Sequence, residues 1–253
     1  MKNEAAIFLL AVQFLTRVPI STDRLHTPER LEAATRHYPL VGLLIGTVCA
    51  LTFWTSHFLF PAAIALIFAI AVGLLLTGGF HEDGLADTFD GIGGGLSRTK
   101  ALEIMKDSRL GTYGTLALIV ALGLKFTTLY ALPALWIITG LIAAHSISRF
   151  SSIIVIATST YAREDGKAKP VASGISGAGL SIAALTILAV LVTASWILPA
   201  LAILAGLAGL MAGHIGMRLF FERNLRGYTG DTLGAVQQAS EIGFYLGLLA
   251  WHS

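Results

Sequence analysis

The chain has 253 residues, of which 55% are hydrophobic and only 13% are charged. Soluble domains carry about 25% charged residues, so this composition excludes an ordinary soluble domain and indicates an integral membrane protein. The net charge of +2 says little about partners. The sequence contains no nucleic-acid-binding motif, and we expect no nucleic-acid partner.

The first element in chain order is a short apolar stretch, "AAIFLLAVQFL", at 5–15. It resembles a signal sequence only loosely, because Glu4 precedes it and no small-x-small cleavage site follows. We expect an uncleaved N-terminal interfacial or re-entrant helix, and its insertion depth stays open. The following residues, 20–35, are typical of a solvated linker or a short helix.

Long apolar runs dominate the rest of the chain. Three of them are each divided by a proline in an uncharged connection, as expected for two membrane spans joined by a tight turn. These prolines are Pro61, Pro133 and Pro199. A last apolar stretch, 233–250, predicts a seventh span. The predicted fold class is therefore all-α: a polytopic helical membrane bundle of about seven transmembrane helices, in a single domain that covers 1–253.

The charged residues fall into four blocks between these spans. Together the blocks hold 15 of the 17 Lys and Arg residues. They cover 1–37, 81–111, 158–170 and 218–232. Seven spans place all four blocks on one face of the membrane, and basic loops mark the cytoplasmic face. We therefore predict a multi-pass protein whose active-site loops are cytoplasmic.

The second block begins with "GGFHEDGLADTFDGIGGG", in which Asp83, Asp87 and Asp90 stand at i, i+4 and i+7. On a helix these positions share one face, where three carboxylates repel each other. A cation removes that repulsion, and Mg²⁺ binds carboxylates together with substrate phosphates. We predict that the three residues are Mg²⁺ ligands, and that the glycines around them admit a bulky ligand. A solvated acidic turn is the alternative. Glu82 lies off this stripe, as a flanking residue.

"MKDSRLGTYG" follows at 105–114. Arg109 can make planar, bidentate contacts to phosphate, so it is a candidate catalytic and substrate-binding residue. Asp107 is either a further metal ligand or a group that orients Arg109. The alternative is a basic membrane anchor at the start of a helix.

Two basic residues, Lys125 and Arg149, lie inside predicted spans. Ionisable groups at membrane depth are costly and usually face a bundle interior, a cavity or a partner. We favour a substrate-binding role for Arg149 over a side chain that reaches up to the membrane surface. Glu241 in the last span is a candidate partner for one of the two.

The third and fourth blocks contribute further candidates. Arg163 lies in "YAREDGKAK", whose mixed charges are more typical of a solvated loop. In "RNLRGYTGDTLGA", Gly230 and Asp231 are candidate substrate contacts at a helix start. Alternatively, Asp231 or Thr232 is simply the N-cap of the last helix.

These motifs together resemble the cobalamin synthase family, adenosylcobinamide-GDP ribazoletransferase. The matching pieces are "FLTRVP", "YPLVG", "LTGGFHEDGLADTFDG", "EIMKDSRLGTYG", "SRF", "YAREDG" and "GYTGDTLGA", in the family's order. The resemblance implies an enzyme of the bacterial or archaeal cytoplasmic (inner) membrane. It also implies the substrates adenosylcobinamide-GDP and α-ribazole or its 5′-phosphate, with Mg²⁺ as cofactor.

The resemblance further implies a mechanism, in which the ribose 3′-hydroxyl attacks the corrinoid-linked phosphoryl group and GMP leaves. Asp90 is the expected proton acceptor, with Asp87 and Arg109 as the other catalytic candidates. The alternatives are a transporter of an anionic solute and a CDP-alcohol phosphotransferase-type enzyme, together with a non-catalytic scaffold. The lipid bilayer is an expected partner. Assembly into a homo-oligomer, or with other corrinoid-assembly enzymes, is left open.

Overall fold

The computed structural model describes residues 2–21, 25–163 and 174–253. These residues form α-helices, one short 3₁₀ turn at Thr35–His37 and, at Tyr161 and Tyr228, one isolated β-bridge. The helices are α1 (Lys2–Leu15), α2 (Pro28–Ala34), α3 (Tyr38–His57), α4 (Ala62–Thr77), α5 (Phe80–Gly94), α6 (Arg98–Ile104), α7 (Thr112–Tyr130), α8 (Ala134–Thr158), α9 (Gly177–Ala194), α10 (Ala200–Leu225) and α11 (Gly230–His252).

The predicted class, an all-helical membrane bundle, is confirmed. Within the described part of the chain, five helical segments are long and apolar enough to cross a bilayer, and α4 with α5 makes a bent sixth candidate. The expected number of seven spans is therefore too high by this criterion. The predicted seventh span, α11, is long enough at 23 residues, but its interior positions include the buried polar side chains of Gln237, Gln238 and Glu241. These side chains face other helices rather than lipid.

Burial separates central helices from peripheral ones. In the most apolar stretch of α8, 78% of the residues are buried, compared with 28% in the corresponding stretches of α7, α9 and α10. The peripheral helices expose large apolar side chains such as Leu116, Leu188 and Leu204. These faces suit lipid, which is as apolar as the side chains themselves.

Glycines allow the closest helix contacts in the bundle. A Cβ at Gly209 of α10 would overlap the carbonyl oxygen of Gly243 on α11, and the converse also holds. Gly213 and Gly247 extend each side of this contact by one helical turn. Such small-xxx-small pairs let two backbones approach and gain packing energy without a hydrophobic driving force. The α10–α11 pair therefore forms a tightly packed unit.

A sharp bend at Gly78 and Gly79 redirects the chain between α4 and α5. Both residues have left-handed backbones, with φ of +65° and +66°, which glycine adopts without strain. The two helices meet at 84°. The amide of Arg17 donates to the carbonyl of Leu76 at 2.7 Å, which satisfies one end of α4. The bend lays α5 against α7 and α11.

The N-terminal helix α1 exists as predicted, and it is apolar but only 14 residues long. At 1.5 Å per residue it is about 21 Å long, too short to span a bilayer unaided. Ile7, Leu10 and Ala11 are buried in the main hydrophobic core. Glu4 pairs with Arg36 at 2.7 Å, which ties the start of α1 to the turn before α3.

The α10–α11 contact generates a stability prediction. Gly209→Ala should lower the free energy of unfolding by about 1–3 kcal/mol, because the added methyl overlaps the backbone of α11. Gly216→Ala on the same helix is the matched control, since a Cβ there meets nothing within 4 Å. Thermal unfolding in detergent measures both variants. Equal melting temperatures for the two would contradict the close contact.

Candidate active site

The three predicted carboxylates lie on α5, in the helical register expected from their spacing. Their exposure decreases along the helix: Asp83 is exposed, Asp87 is half-buried and Asp90 is buried. The stripe therefore runs from solvent into the protein. Its members are in different environments, which the spacing alone did not predict.

Asp90 joins α5 to the start of α7. One carboxylate oxygen accepts the amide of Gly111 at 2.7 Å, and the other accepts the amide of Gly114 at 2.8 Å. Free amides and the positive end of the helix dipole favour a carboxylate at this place. Asp90 thus acts as a cap for α7, a role that the sequence reasoning missed.

The structure brings Asp231 of α11 to the same region. A Cβ at Gly84 of α5 would overlap the carbonyl oxygen of Asp231, so the two helices touch there. Asp83, Asp87, Asp90 and Asp231 influence each other electrostatically, and Arg163 is a cation near them. Arg163 donates to the Asp231 carboxylate at 2.7 Å. We call Asp83, Asp87 and Asp231, together with Arg163, the acidic face.

The N-cap of α11 is Thr229, so the alternative reading of Asp231 or Thr232 as the cap is wrong. The Thr229 hydroxyl accepts the amide of Thr232 at 3.3 Å, and the Thr232 hydroxyl accepts the amide of Thr229 at 2.8 Å. This reciprocal pair satisfies the helix start without Asp231. The Asp231 carboxylate is consequently available to Arg163.

Backbone hydrogen bonds hold Arg163 in place. The amide of Tyr228 donates to Thr160 at 2.9 Å, and the amide of Ala162 donates to Tyr228 at 2.8 Å. Arg98, which the sequence reasoning did not single out, donates to the carbonyl of Ala162 at 2.7 Å. The buried Nε of Arg163 has no partner within the described part of the chain, so it is available to a ligand oxygen.

Arg109 and Asp107 form an exposed pair in the loop before α7. The guanidinium of Arg109 donates to Asp107 at 2.5 Å, and its side chain is 86% exposed. Hydrogen bonding to Arg109 lowers the pKa of the Asp107 carboxyl to about 2, so the carboxyl is ionised at any ordinary working pH. Of the two predicted roles for Asp107, the observed contact is the one that orients Arg109.

The in-span basic residues lie apart from the acidic face. Arg149 is only 2% exposed and donates to the carbonyl of His145 at 2.7 Å, so its side chain faces the bundle interior rather than reaching the surface. Lys125 pairs with Glu241 at 2.9 Å, as predicted. Glu82 lies off the acidic stripe, but it points inward and accepts a hydrogen bond from Gln238 at 2.9 Å.

Gly91 and Gly93 serve packing rather than ligand access, which corrects the sequence-based expectation for these two glycines, whereas a Cβ at Gly79 would meet nothing within 4 Å. A Cβ at Gly91 would meet Met105 of the following loop, and a Cβ at Gly93 would meet the Tyr113 ring. Close helix approach, which sequence cannot distinguish from space for a ligand, explains these glycines. Gly230 is the first residue of α11 and is half-buried beside Asp231.

The donor chemistry of the acidic face suits Mg²⁺ in one specific way. Among the described residues, no three His, Cys, Asp or Glu side chains form a group that could hold a metal ion by themselves. Mg²⁺ usually keeps several waters and takes one or two carboxylates together with substrate phosphates. Asp83 and Asp87 fit that arrangement, in which the substrate completes the coordination.

The fold and the site together define a polytopic membrane protein with carboxylates and an arginine gathered at one end of its helical bundle. A family model described as cobalamin-5-phosphate synthase matches residues 7–249. The chain belongs to this family, and it is a transferase.

Curated relatives match this chain over nearly their whole length. A protein of Leptothrix cholodnii is 47% identical, over 98% of this chain and 96% of the relative. Proteins of Shewanella amazonensis and Shewanella woodyi are 43% and 42% identical, over 98% and 99% of this chain and 96% and 98% of the relatives. All three are named adenosylcobinamide-GDP ribazoletransferase. No solved structure matches the chain.

The Asp90 contacts generate a prediction that separates two carboxylates of one stripe. Asp90→Ala should lower the free energy of unfolding by about 1–2 kcal/mol, because the first turn of α7 loses its cap. Asp83→Ala is the control and should leave stability unchanged within about 0.5 kcal/mol, since Asp83 is exposed. Detergent-phase thermal unfolding compares them. An equal loss in both variants would show that Asp90 has no special structural role.

Proposed function

We propose that this chain joins adenosylcobinamide-GDP to α-ribazole or its 5′-phosphate, giving adenosylcobalamin or its 5′-phosphate and GMP. The observation that supports this most directly is the acidic face, where Arg163 pairs with Asp231 and the carboxylates of Asp83 and Asp87 lie close enough to interact electrostatically. A diphosphate substrate needs both cationic neutralisation and rigid positioning. The names of the relatives agree with the proposal.

The reaction replaces the anhydride oxygen on the cobinamide-linked phosphorus with an ester oxygen from the ribose. The ribose 3′-hydroxyl oxygen bonds to the phosphorus attached to cobinamide, and the bond from that phosphorus to the bridging oxygen of GMP breaks. GMP leaves with the bridging oxygen and its electron pair. The hydroxyl proton passes to a base, so that charge and atoms balance without a further reactant.

Asp87 is the proton acceptor in this proposal, through the carboxylate oxygen that does not bind the cation. It is half-buried, and no hydrogen bond to its carboxylate competes with a substrate within the described residues. Asp90, the acceptor expected from sequence, already binds two backbone amides through its two oxygens. A carboxylate that is fully engaged as a helix cap is a poorer base.

Phosphate binding falls to arginines. The unpartnered Nε of Arg163 can donate to a phosphate oxygen while another nitrogen of the guanidinium stays on Asp231. Arg109 is exposed and oriented by Asp107, so it can reach a phosphate at the mouth of the site. Arg149 is buried and bonded to His145, and we retain it only as a supporting group inside the bundle.

Asp83 and Asp87 would hold Mg²⁺, which when bound neutralises diphosphate charge and makes GMP a better leaving group. Asp231 and Gly230, at the start of α11, would border the ribose of the incoming ribazole. We further propose that the acidic face opens to the cytoplasm, from a bacterial or archaeal inner membrane. The grouping of basic residues in blocks between the apolar runs supports this orientation, since basic loops favour the cytoplasmic face.

A transport function fits the structure less well. The buried ammonium of Lys125 is paired with Glu241 rather than free to bind a solute. The cavity beside them has a volume of about 20 Å³. That is room for about one water molecule and not for a nucleotide-like solute.

Turnover of defined substrates tests the proposal. Purified protein with adenosylcobinamide-GDP, α-ribazole and Mg²⁺ should release GMP, detected by chromatography. Asp83→Asn should lower this release by about 100-fold or more, because it removes a carboxylate that would hold the cation. Glu103→Gln is the control, an exposed acid on α6 paired with Lys100, and it should retain full activity.

Absence of GMP release from the wild-type protein under every divalent metal would overturn the assignment. Wild-type turnover by the Asp83→Asn variant would instead remove the acidic face from the mechanism while leaving the reaction in place.

A further inference from the structure

A group of buried charges beneath the acidic face is not used by the proposed mechanism. Lys125 of α7 lies between Glu241 of α11 at 2.9 Å and Glu82 of α5 at 3.8 Å. Its ammonium also donates to the side-chain oxygen of Gln238 on α11 at 3.0 Å. Lys125 and Glu241 are 5% and 0% exposed. One cation therefore contacts polar groups from two other helices.

The three connected helices are the ones that build the candidate site. Helix α5 carries Asp83 and Asp87, α11 carries Asp231, and α7 receives the Asp90 carboxylate at its first turn. Charged groups in an apolar bundle are costly unless they are paired, so a buried group of charges indicates a function that offsets this cost. The group joins the helices that carry the candidate site, which indicates a role in positioning them.

Side chains hold helix α5 at two points, Glu82 and Asp90, and the carboxylates of Asp83 and Asp87 lie between these points. At one point Asp90 binds the backbone amides that begin α7. At the other, Glu82 faces Lys125 and accepts a hydrogen bond from Gln238 at 2.9 Å. Asp83 and Asp87 fall between these two points in the sequence of the helix. The 84° bend leaves α5 without support from a continuous α4. Close backbone contact at Gly84 places α5 against α11, and the side-chain contacts of Glu82 and Asp90 add to it on either side of the two carboxylates.

We propose that Lys125 is a positioning residue, whose ammonium holds α5 against α11 and so sets the separation between the Asp83–Asp87 carboxylates and Asp231. Lys125 touches neither substrate nor cation in this proposal. The proposal rests on the proposed function for its catalytic consequence, but its structural consequence can be measured without turnover.

The variant Lys125→Met removes the charge and keeps a side chain of similar length. It leaves Glu82 and Glu241 without their shared cation, so α5 should loosen from α11. We expect amide hydrogen exchange in 80–94 to become about tenfold faster while α9 is unchanged, since α9 packs on α3 and α8 instead. The Mg²⁺ concentration that gives half-maximal GMP release should rise about 10-fold or more, the loss typical of groups that hold metal ligands in place.

His214→Leu is the matched control. His214 of α10 is equally buried, and it bonds Ser151 of α8 at 2.6 Å. It should destabilise the bundle without a selective change in α5 or in the half-saturating Mg²⁺ concentration. If Lys125→Met does not fold, Glu82→Gln gives the milder test, because it keeps the size of the side chain and removes the charge that faces Lys125.

The outcomes separate this proposal from the proposed function. Faster exchange confined to the α5 segment supports the positioning role even if the wild-type protein releases no GMP, a result that would overturn the function alone. Unchanged exchange and unchanged Mg²⁺ dependence in folded Lys125→Met and Glu82→Gln would overturn the positioning role. A uniform increase in exchange across all helices would also overturn it, since Lys125 would then stabilise only the bundle as a whole.

Discussion

The buried ion pair between Lys125 and Glu241 is the constraint around which the site end of the bundle is built. A charge in a helical membrane bundle must find a partner inside the protein, because lipid offers none. Lys125 meets Glu241 directly and Glu82 at slightly greater distance. This requirement bears on how α5, α7 and α11 approach one another, and two of these helices, α5 and α11, carry the carboxylates of the acidic face.

Glycine packing and polar contacts act together in this arrangement. Gly84 lets α5 touch the start of α11, and the glycines of α10 bring that helix onto the opposite side of α11. Arg98 and the bridge between Tyr161 and Tyr228 then place Arg163 beside Asp231. The acidic face is therefore supported from several directions. Enzymes accelerate phosphoryl transfer mainly by positioning the reactants and neutralising charge, and both require side chains that are held in place.

The stripe on α5 shows what residue spacing can predict and what it cannot. The spacing of Asp83, Asp87 and Asp90 correctly predicted one helical face, because the 3.6-residue period acts over a few residues. It also suggested three equivalent ligands. The structure shows one exposed, one half-buried and one engaged as a cap for α7. The expectation that the neighbouring glycines admit a ligand was wrong for Gly91 and Gly93. A glycine in the sequence does not show whether a ligand or another part of the protein fills the space beside it.

Composition and motif order by themselves determined the membrane class, the helical fold, the grouping of the charges into blocks and the family, all of which depend on local or additive properties of the chain. The pairing of Lys125 with Glu241 was also anticipated, because an intramembrane charge demands a partner. Only the tertiary structure decided that Asp231 comes to the region of the stripe, that Glu82 points inward and that Arg149 faces the bundle interior. Those outcomes depend on contacts between residues far apart in sequence, which no periodicity encodes.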